Sequence, residues 1–488
     1  MGHSLKILFA AAEASPLVKV GGLGDVAGSL PLALRQRGHD ARIIIPRYGS
    51  INLEGYKCSN RGRFVMSFLN NRESIVINEV LLQDGTPVYL VENERYFDRP
   101  AVYGEADDLE RFLLFSRAVM EVPKRLDWQP DVLHSHDWHT GVVPALLKVA
   151  YRDDIFYSLC ASVHTIHNIG YQGWFDGSFA SRAGLYDYLP PPEDPNRSKS
   201  YSMVALGIYH SDIISTVSKT YATEILTPEY GMGLEMLLQM RQDSLLGILN
   251  GIDYDQFNPA NDRLIAANYD IENLDKRVTN KLALQDKAGL PVNAETPLLG
   301  LAARLVDQKG IDILAAALDS LFDEADVQFV LQGSGDPKYE ETLRMLESRY
   351  PDKARMFLVL DFALARLIFA GCDMYLTPSR FEPCGLSHLI AMHYGAIPIV
   401  RRTGGLAETV LDCTSDLSSG LGFVFEGYDA GVLLMTLRRA LAAWQHKDRW
   451  QRLMRRVIQS DFSWKSSLPQ YEALYEMAIR KSTASQIV

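Results

Sequence analysis

The segment 378–386 places a carboxylate, a thiol and a glycine close together, in the order P-S-R-F-E-P-C-G-L. Glu382 precedes a proline in what reads as a strand-to-helix turn, and the fixed φ angle of proline holds such a carboxylate rigidly. Gly385 and Leu386 begin the predicted helix, whose N-terminus can meet a phosphate. Cys384 has no histidine at a spacing that suggests a base, so we interpret it as a buried, inert thiol.

Two cations follow a different predicted strand in the second half of the chain. Arg304 offers a planar fork of donors and Lys309 a point charge, a combination that suits a diphosphate leaving group. A glycine turn made by Thr403, Gly404 and Gly405 follows a further strand and adds backbone donors. The alternative is that the cations are solvated surface charges, but both lie at a predicted strand tip in an acidic chain.

A glycine-rich turn, K-V-G-G-L-G-D, follows the first predicted strand and opens a helix. Lys19 supplies a positive charge, while Gly21 and Gly22 let backbone N–H groups approach an anion at the helix N-terminus. The string lacks the G-K-[ST] ending of a Walker loop, and it is not G-x-G-x-x-G. A plain glycine turn is the alternative, but the position after the first strand favours a phosphate contact.

Histidines are concentrated at the ends of two predicted strands, in H-S-H-D-W-H at 134–139 and H-T-I-H-N at 164–168. A metal site, a set of structural histidines and a sugar-facing loop are the possible interpretations, and the spacing of Asp137 disfavours a dinuclear metal site. Polar residues at strand ends face ligands in α/β sheets, which favours the sugar-facing loop. The D-x-D pair Asp253 and Asp255 lies between the two halves, where we expect a hinge rather than metal ligands.

Short apolar runs alternate with helical patterns in both halves of the chain, which is typical of βα units and parallel sheets. The pattern predicts strands that include Leu5 to Ala12 and Leu298 to Ala303, and the rhythm restarts after the turn at 250–253. We therefore expect two doubly wound α/β domains, 1–250 and 251–460. The amphipathic tail, 461–488, is expected to form a helix that crosses back to the first domain.

Composition excludes several classes of function. Lys plus Arg is 49 and Asp plus Glu is 60, a net charge of −11, which argues against salt-driven nucleic-acid binding. The five cysteines form no C-x-x-C motif and are odd in number, which favours a reducing cytoplasm. No apolar run approaches the ~18 residues that a membrane helix needs, so we expect no membrane partner.

Taken together, these strings resemble the bacterial glycogen synthase and starch synthase family, retaining glucosyltransferases of the GT-B fold. K-V-G-G-L, H-S-H-D-W-H, H-N-I-G-Y-Q-G, N-G-I-D, S-R-F-E-P-C-G-L and R-R-T-G-G-L occur here in the family's order, from about Leu5 to Tyr475. The resemblance implies two Rossmann-like domains facing across a cleft. It also implies transfer of glucose from ADP-glucose to the non-reducing end of an α-1,4-glucan, with release of ADP and without a metal or other cofactor.

The resemblance also implies roles for individual residues. Arg304 and Lys309 would stabilise the departing ADP, and Glu382 would bind glucose hydroxyls and favour the cationic transition state. His167 would lie against the glucose, with Asp137 nearby on the acceptor side. The expected substrate-binding positions are Lys19, Gly21, Gly22, Asp25, Tyr103, Asn168, Asn250, Cys384, Gly385, Leu386, Thr403, Gly404 and Gly405.

Some positions depart from the family pattern and leave alternatives open. The segment 359–362, V-L-D-F, replaces a tyrosine-containing segment that lies against the adenine, so a preference for UDP-glucose over ADP-glucose stays open. Rival interpretations are a transferase that makes sucrose or trehalose, a nucleotide-sugar epimerase, and a glucan-binding scaffold without activity. The sequence does not distinguish soluble glycogen from insoluble granules as the acceptor.

Overall fold

A computed structural model describes residues 4–190 and 200–487. Its strands are, in chain order, β1 Lys6–Ala10, β2 Asp40–Pro46, β3 Lys57–Phe68, β4 Asn71–Leu81, β5 Pro87–Glu92, β6 Val132–His136, β7 Ala161–Ile166, β8 Trp174–Asp176, β9 Ser200–Ser202, β10 Ile213–Thr216, β11 Leu245–Gly247, β12 Leu298–Ala302, β13 Gln328–Gln332, β14 Ala354–Phe357, β15 Met374–Thr377, β16 Ile397–Arg401 and β17 Phe423–Phe425.

The helices alternate with these strands along most of the chain. They are α1 Gly22–Gln36, α2 Asp108–Arg125, α3 Val142–Ala145, α4 Gly177–Ala183, α5 Met203–His210, α6 Lys219–Glu224, α7 Glu235–Met240, α8 Arg277–Ala288, α9 Ile311–Glu324, α10 Pro337–Arg349, α11 Phe362–Gly371, α12 Leu386–His393, α13 Gly404–Thr409, α14 Ala430–Trp444, α15 Lys447–Ile458 and α16 Trp464–Ile487. None of the helices in the described ranges is long and apolar enough to cross a membrane.

The chain divides into two compact units. Unit 1 comprises Met1–Gly251 together with Trp464–Val488, and unit 2 comprises Ile252–Ser463. Each unit is an α/β fold built on its own sheet.

The sheet of unit 1 has the strand order β11-β10-β7-β6-β1-β2-β5-β4-β3. It is parallel from β11 to β5, and only β4 and β3 run antiparallel to their neighbours. The register aligns Ala10 with Ser135 and Ser135 with His164, so β1, β6 and β7 end at the same edge. The residues that follow these strands, including Asp137 and His167, are therefore neighbours at the carboxyl edge of the sheet.

The sheet of unit 2 is parallel throughout, with the order β14-β13-β12-β15-β16-β17. Its strands are almost entirely buried, as expected for a parallel sheet covered by helices on both faces. The turn after β12 carries the cations Arg304 and Lys309. The turn after β15 carries Glu382 and is called the acidic turn below, and the glycine turn 403–405 follows β16. The alternating pattern predicted most of these strands correctly.

Helix α16 belongs to unit 1 although unit 2 separates it from the rest of that unit. Its buried side chains share a core with β1, β6 and β7; they are Trp464, Leu468, Tyr471, Leu474, Tyr475 and Ala478. The helix ties itself to the sheet through Tyr475, whose hydroxyl lies 3.0 Å from Nδ1 of His134. The last segment of the chain therefore completes the core of the first unit.

The predicted elements differ from the structure in their bounds and in their number. The strands β5, β8, β9 and β11 are not among the predicted ones. The strand predicted at 356–360 is observed at Ala354–Phe357, so Val359 and Leu360 lie in the turn after it. The antiparallel pair β3 and β4 was not predicted, because β3 is mostly exposed and carries little apolar alternation.

Candidate functional site

Asp137 is the most constrained residue at the carboxyl edge of the unit 1 sheet. It follows β6 directly with φ 53° and ψ −172°, a combination that non-glycine residues rarely adopt and that costs of order 1–3 kcal/mol. Its Oδ1 accepts hydrogen bonds from the main-chain N–H groups of His167 (2.7 Å) and Asn168 (3.3 Å). The structure thus brings the predicted site residues Asp137, His167 and Asn168 together through one carboxylate.

Burial dominates the electrostatics of Asp137. Loss of hydration raises the pKa of its carboxyl to about 7, although the two backbone donors act in the opposite direction. The nearby negative charge of Glu13 contributes to the same rise in pKa. A carboxyl that titrates near neutrality at a sheet edge is a frequent feature of functional sites.

The histidines at this edge are neutral. Burial is the main cause that lowers the pKa of each of His134, His136, His139, His164 and His167. For His167 the pKa falls to about 3, and its Nε2 lies 3.0 Å from Nδ1 of His136. A neutral imidazole in such a pair can donate one hydrogen bond and accept another.

These histidines differ in accessibility. His134 and His164 are fully buried, and His134 has a partner on each ring nitrogen, Thr165 at 2.6 Å and Tyr475 at 3.0 Å. His134 is therefore a structural histidine, one whose hydrogen bonds are all made within the core. His167 and Asn168 are partly exposed, so a ligand can reach them. Across residues 4–190 and 200–487, no three His, Cys, Asp or Glu side chains are grouped as metal ligands would be.

The glycine-rich turn is held by Glu13, a residue that the sequence analysis did not select. The N–H groups of Val20 and Gly21 both donate to Oε2 of Glu13, the latter at 3.1 Å. The Tyr103 hydroxyl donates to Oε1 at 3.1 Å. The sequence signal for Glu13 is that it stops the apolar run 7–12, which continues past β1, a few residues before the glycines.

Two of the predicted donor-site residues in this turn pair with each other. The Lys19 ammonium lies 2.7 Å from Oδ1 of Asp25, in the first turn of α1. Both side chains are partly exposed, so a substrate phosphate can reach the lysine. Gly22 begins α1, as the sequence predicted for a turn that opens a helix.

Asn250 and Tyr103 lie at other points of unit 1. Asn250 is buried near the end of the unit, and its Oδ1 has no hydrogen-bond partner among the described residues. The Tyr103 ring packs against His139, with ring centroids 4.7 Å apart. This contact links Tyr103 to the loop that begins with Asp137.

In unit 2, the predicted acid and one predicted cation form an ion pair. Nζ of Lys309 lies 2.5 Å from Oε2 of Glu382, which also accepts a hydrogen bond from the Ser379 hydroxyl at 2.9 Å. Glu382 is only 5 % exposed. Lys309 lies in a single 3₁₀ turn after β12, and Arg304 precedes that turn with its side chain partly exposed.

Glycines allow the turns of unit 2 to pack tightly around Glu382. A Cβ on Gly404 would overlap the carbonyl oxygen of Glu382, and a Cβ on Gly405 would overlap that of Cys384. The N–H of Gly405 donates to the Glu382 carbonyl at 3.1 Å. The Gly405 amide therefore stabilises the backbone of the acidic turn. The sequence predicts instead that these glycines offer their N–H groups to an anion.

The remaining predicted positions of unit 2 surround this turn. Gly385 adopts φ +85° and precedes α12, which begins at Leu386, while Thr403 precedes α13. Cys384 is buried, in agreement with the interpretation of an inert thiol. Val359 and Leu360 in the turn after β14 are instead exposed, as is Phe362 at the start of α11, at 67 %.

Comparisons with known proteins identify the family of both units. Residues 6–240 match the family model "Starch synthase catalytic domain", and residues 283–456 match "Glycosyl transferases group 1". The catalytic domain of starch synthase IV from Arabidopsis thaliana, solved with ADP and acarbose, has a TM-score of 0.92 and 35 % identity, covering 98 % of this chain and all of that one. Sucrose-phosphate synthase from Thermosynechococcus elongatus, at 18 % identity and TM-score 0.60, shares the fold.

Full-length sequence relatives are more similar still. The glycogen synthase of Moorella thermoacetica is 44 % identical over 488 residues, covering 99 % of both chains. The glycogen synthase of Thermotoga maritima is 42 % identical over 486 residues, covering 98 % of this chain and 99 % of its own. With this identity along its whole length and a GT-B structure, the chain belongs to the family of glycogen synthases.

Proposed function

We propose that this chain transfers glucose from ADP-glucose to the non-reducing end of an α-1,4-glucan and releases ADP. Glycogen synthases elongate α-1,4-glucan with ADP-glucose, and the similarity covers the chain from end to end. The observation that supports the chemistry best is the Lys309–Glu382 pair, a buried carboxylate held against a cation at the carboxyl edge of a parallel sheet.

Unit 2 supplies the groups for the leaving ADP. Departure of ADP concentrates negative charge on the diphosphate, and Arg304 and Lys309 stabilise that charge as it develops. The guanidinium can contact two phosphate oxygens and the ammonium a third. Because both known partners of Glu382 use Oε2, we assign Oε1 to a glucose hydroxyl.

The transfer retains the configuration of glucose, so the acceptor attacks from the face that ADP leaves. A diphosphate oxygen on that face can take the proton of the acceptor hydroxyl as the glycosidic bond to ADP breaks. The site then needs cations more than a protein base, which fits the residues present. Glu382 favours the positive charge that develops on the sugar ring between departure and attack.

Unit 1 supplies the groups for the glucose and the acceptor. Asp137 fixes the backbone at His167 and Asn168 and so orients both side chains. The neutral His167 can donate a hydrogen bond to a sugar hydroxyl without adding charge. Lys19 would contact the donor phosphates, and Tyr103 would offer its ring to the glucan.

The partners are therefore ADP-glucose and a malto-oligosaccharide, glycogen or starch, with no nucleic acid or membrane. The structure of the Arabidopsis relative bound to ADP and acarbose supports this assignment, since acarbose resembles a short glucan. We assign the chain to the cytoplasm because all five cysteines are free thiols and four are buried, as is usual in a reducing compartment.

Incubation with glycogen and radiolabelled ADP-glucose or UDP-glucose tests the proposal. We expect label in the polymer from ADP-glucose at a rate at least tenfold above that from UDP-glucose. The exposed segment 359–362 is the reason to measure both donors. Label from neither donor in the wild-type chain would contradict the proposed activity, and a UDP-glucose preference would contradict the donor assignment alone.

A further inference from the structure

Glu13 lies three residues after the end of β1 and is 2 % exposed, yet it carries neither a lysine nor an arginine partner among the described residues. Its hydrogen bonds come from the backbone of Val20 and Gly21 and from the Tyr103 hydroxyl. A buried carboxylate without a cation is costly unless several donors satisfy it. This carboxylate lies at the carboxyl edge of the unit 1 sheet and contacts Tyr103, one of the proposed substrate-binding residues.

The two oxygens of Glu13 serve two different elements. Oε2 holds the turn that carries Lys19, and Oε1 holds Tyr103. The absence of a side chain at Gly24 makes room for this carboxylate, because a Cβ there would lie 2.9 Å from Oε2. Rotation of the carboxylate would therefore move the turn and the tyrosine together.

We propose that Glu13 is a positioning residue for glucosyl transfer, which couples the Lys19 turn on the donor side to Tyr103 on the acceptor side. The proposal rests on the proposed function, since that function assigns Lys19 to the donor phosphates and Tyr103 to the glucan. Glu13 itself touches neither substrate. Its effect is to hold two substrate-binding elements at a fixed separation.

Binding of the two substrates should then depend on Glu13 to a similar degree. In Glu13→Ala both elements lose their anchor, so we expect the KM for ADP-glucose and the KM for maltoheptaose each to rise about tenfold. Tyr103→Phe removes one anchor and should raise only the KM for maltoheptaose. In the double variant the rise in the maltoheptaose KM should be smaller than the product of the two single rises. Both substitutions remove the same hydrogen bond, the one between Tyr103 and Glu13.

Glu13→Gln separates positioning from charge. The glutamine carbonyl can still accept from Val20 and Gly21, and its amide can donate to the Tyr103 oxygen. We expect both KM values of this variant to recover to within about threefold of wild type. A charge-dependent role would instead leave Glu13→Gln as impaired as Glu13→Ala.

Glu73 provides the matched control for a purely structural effect. It is a buried carboxylate of the same unit, bonded to Asn93 at 3.1 Å and paired with Arg95. Glu73→Ala should lower the thermal midpoint and leave both KM values within twofold. If Glu13→Ala behaves in the same way, or if Tyr103→Phe leaves the maltoheptaose KM unchanged, the proposal is wrong. A wild-type chain that transfers no glucose would instead refute the proposed function.

Discussion

Glu382 shares a single oxygen, Oε2, between an ammonium and a hydroxyl, and this arrangement fixes the carboxylate in one orientation. A glutamine has nearly the same shape but cannot balance the Lys309 charge. Glu382→Gln should therefore keep the fold and the affinity for ADP, while kcat falls by ~10²-fold or more. Steady-state transfer assays and calorimetric ADP titration measure the two effects.

Ser379→Ala is the control for this substitution, because it removes the hydroxyl contact and leaves the ion pair. We expect its kcat to fall by less than about tenfold. Turnover of Glu382→Gln within a few-fold of wild type would show that the carboxylate is not part of the reaction.

The two proposed phosphate ligands, Arg304 and Lys309, also make a prediction about divalent ions. Together they can offer charged hydrogen-bond donors to the diphosphate oxygens without a cation from solution. Transfer should therefore proceed at the same rate in excess EDTA. Full loss of activity in EDTA, with recovery on adding Mg²⁺ or Mn²⁺, would revive the metal interpretation of the histidine string or of Asp253 and Asp255.

Asp137 should make stability depend on pH. Its pKa is about 7 in the folded chain against an ordinary 3.8, so the folded state binds the proton more tightly than the unfolded state. Stability falls as pH rises from about 4 through about 7, by up to roughly 4 kcal/mol for a shift of this size. Asp137→Asn keeps the acceptor for both N–H groups and removes this loss. Urea unfolding at pH 5 and pH 8 should show the variant gaining stability relative to wild type at the higher pH; an equal difference at both values would contradict the assignment.

Most of the residues proposed for the site are predictable from sequence because they follow strands in distinctive strings. Lys309 and Glu382 were expected at one site, and the structure joins them by an ion pair. Glu13 could not be found in this way, since its partners are backbone N–H groups and a tyrosine 90 residues away. Hydrogen bonds between distant segments leave no local pattern.

The turn that begins α13 acts on the site through backbone packing. Gly404 has φ +45° and lies against the Glu382 carbonyl, where a methyl group would overlap the oxygen. Gly404→Ala should therefore displace the acidic turn and lower kcat at least tenfold, with a loss of thermal stability. Kinetic assays beside thermal unfolding separate the two effects.

Gly427 offers the matched control for Gly404→Ala. A Cβ there would meet only Val432, at an ordinary distance of 3.6 Å, so Gly427→Ala should leave kcat unchanged. If Gly404→Ala were equally silent, the glycine turn would not position Glu382.

Buried strands are easier to predict from the sequence than exposed strands. Most strands of the parallel sheets are short apolar runs that the sequence predicts, whereas β3 alternates weakly because most of its side chains are exposed. Pairing with β4 determines that strand, and pairing is a tertiary contact. The bounds of the strand near 356 shifted for a similar reason: Val359 and Leu360 are apolar but lie in an exposed turn.

At the scale of the whole molecule, the stability of unit 1 should depend on the end of the chain. Tyr475 is fully buried in the core that α16 completes, and it bonds His134. Tyr475→Ala should destabilise unit 1 by about 3–5 kcal/mol and leave unit 2 unchanged. Limited proteolysis with mass spectrometry, which locates cleavage in one unit or the other, measures this difference.

Glu476 is the neighbouring residue on the same helix and is exposed, so Glu476→Ala should not change the cleavage pattern. Equal protection of unit 1 in both variants would show that α16 is dispensable for its core.

Unit 1 is built from two segments of the chain that unit 2 separates, and this has a consequence for synthesis on the ribosome. Residues 252–463 leave the exit tunnel before α16 does, so the second unit can fold while the first still exposes the apolar surface that α16 will cover. Completion of the first unit is thus delayed until translation has passed Tyr475, whereas Arg304 and Lys309, the groups proposed to bind the leaving ADP, belong to the unit that can fold earlier. A nascent chain that stalls within this interval would have a folded second unit and a first unit that lacks its last helix. It would be a ready target for chaperones and proteases before it could bind glucan.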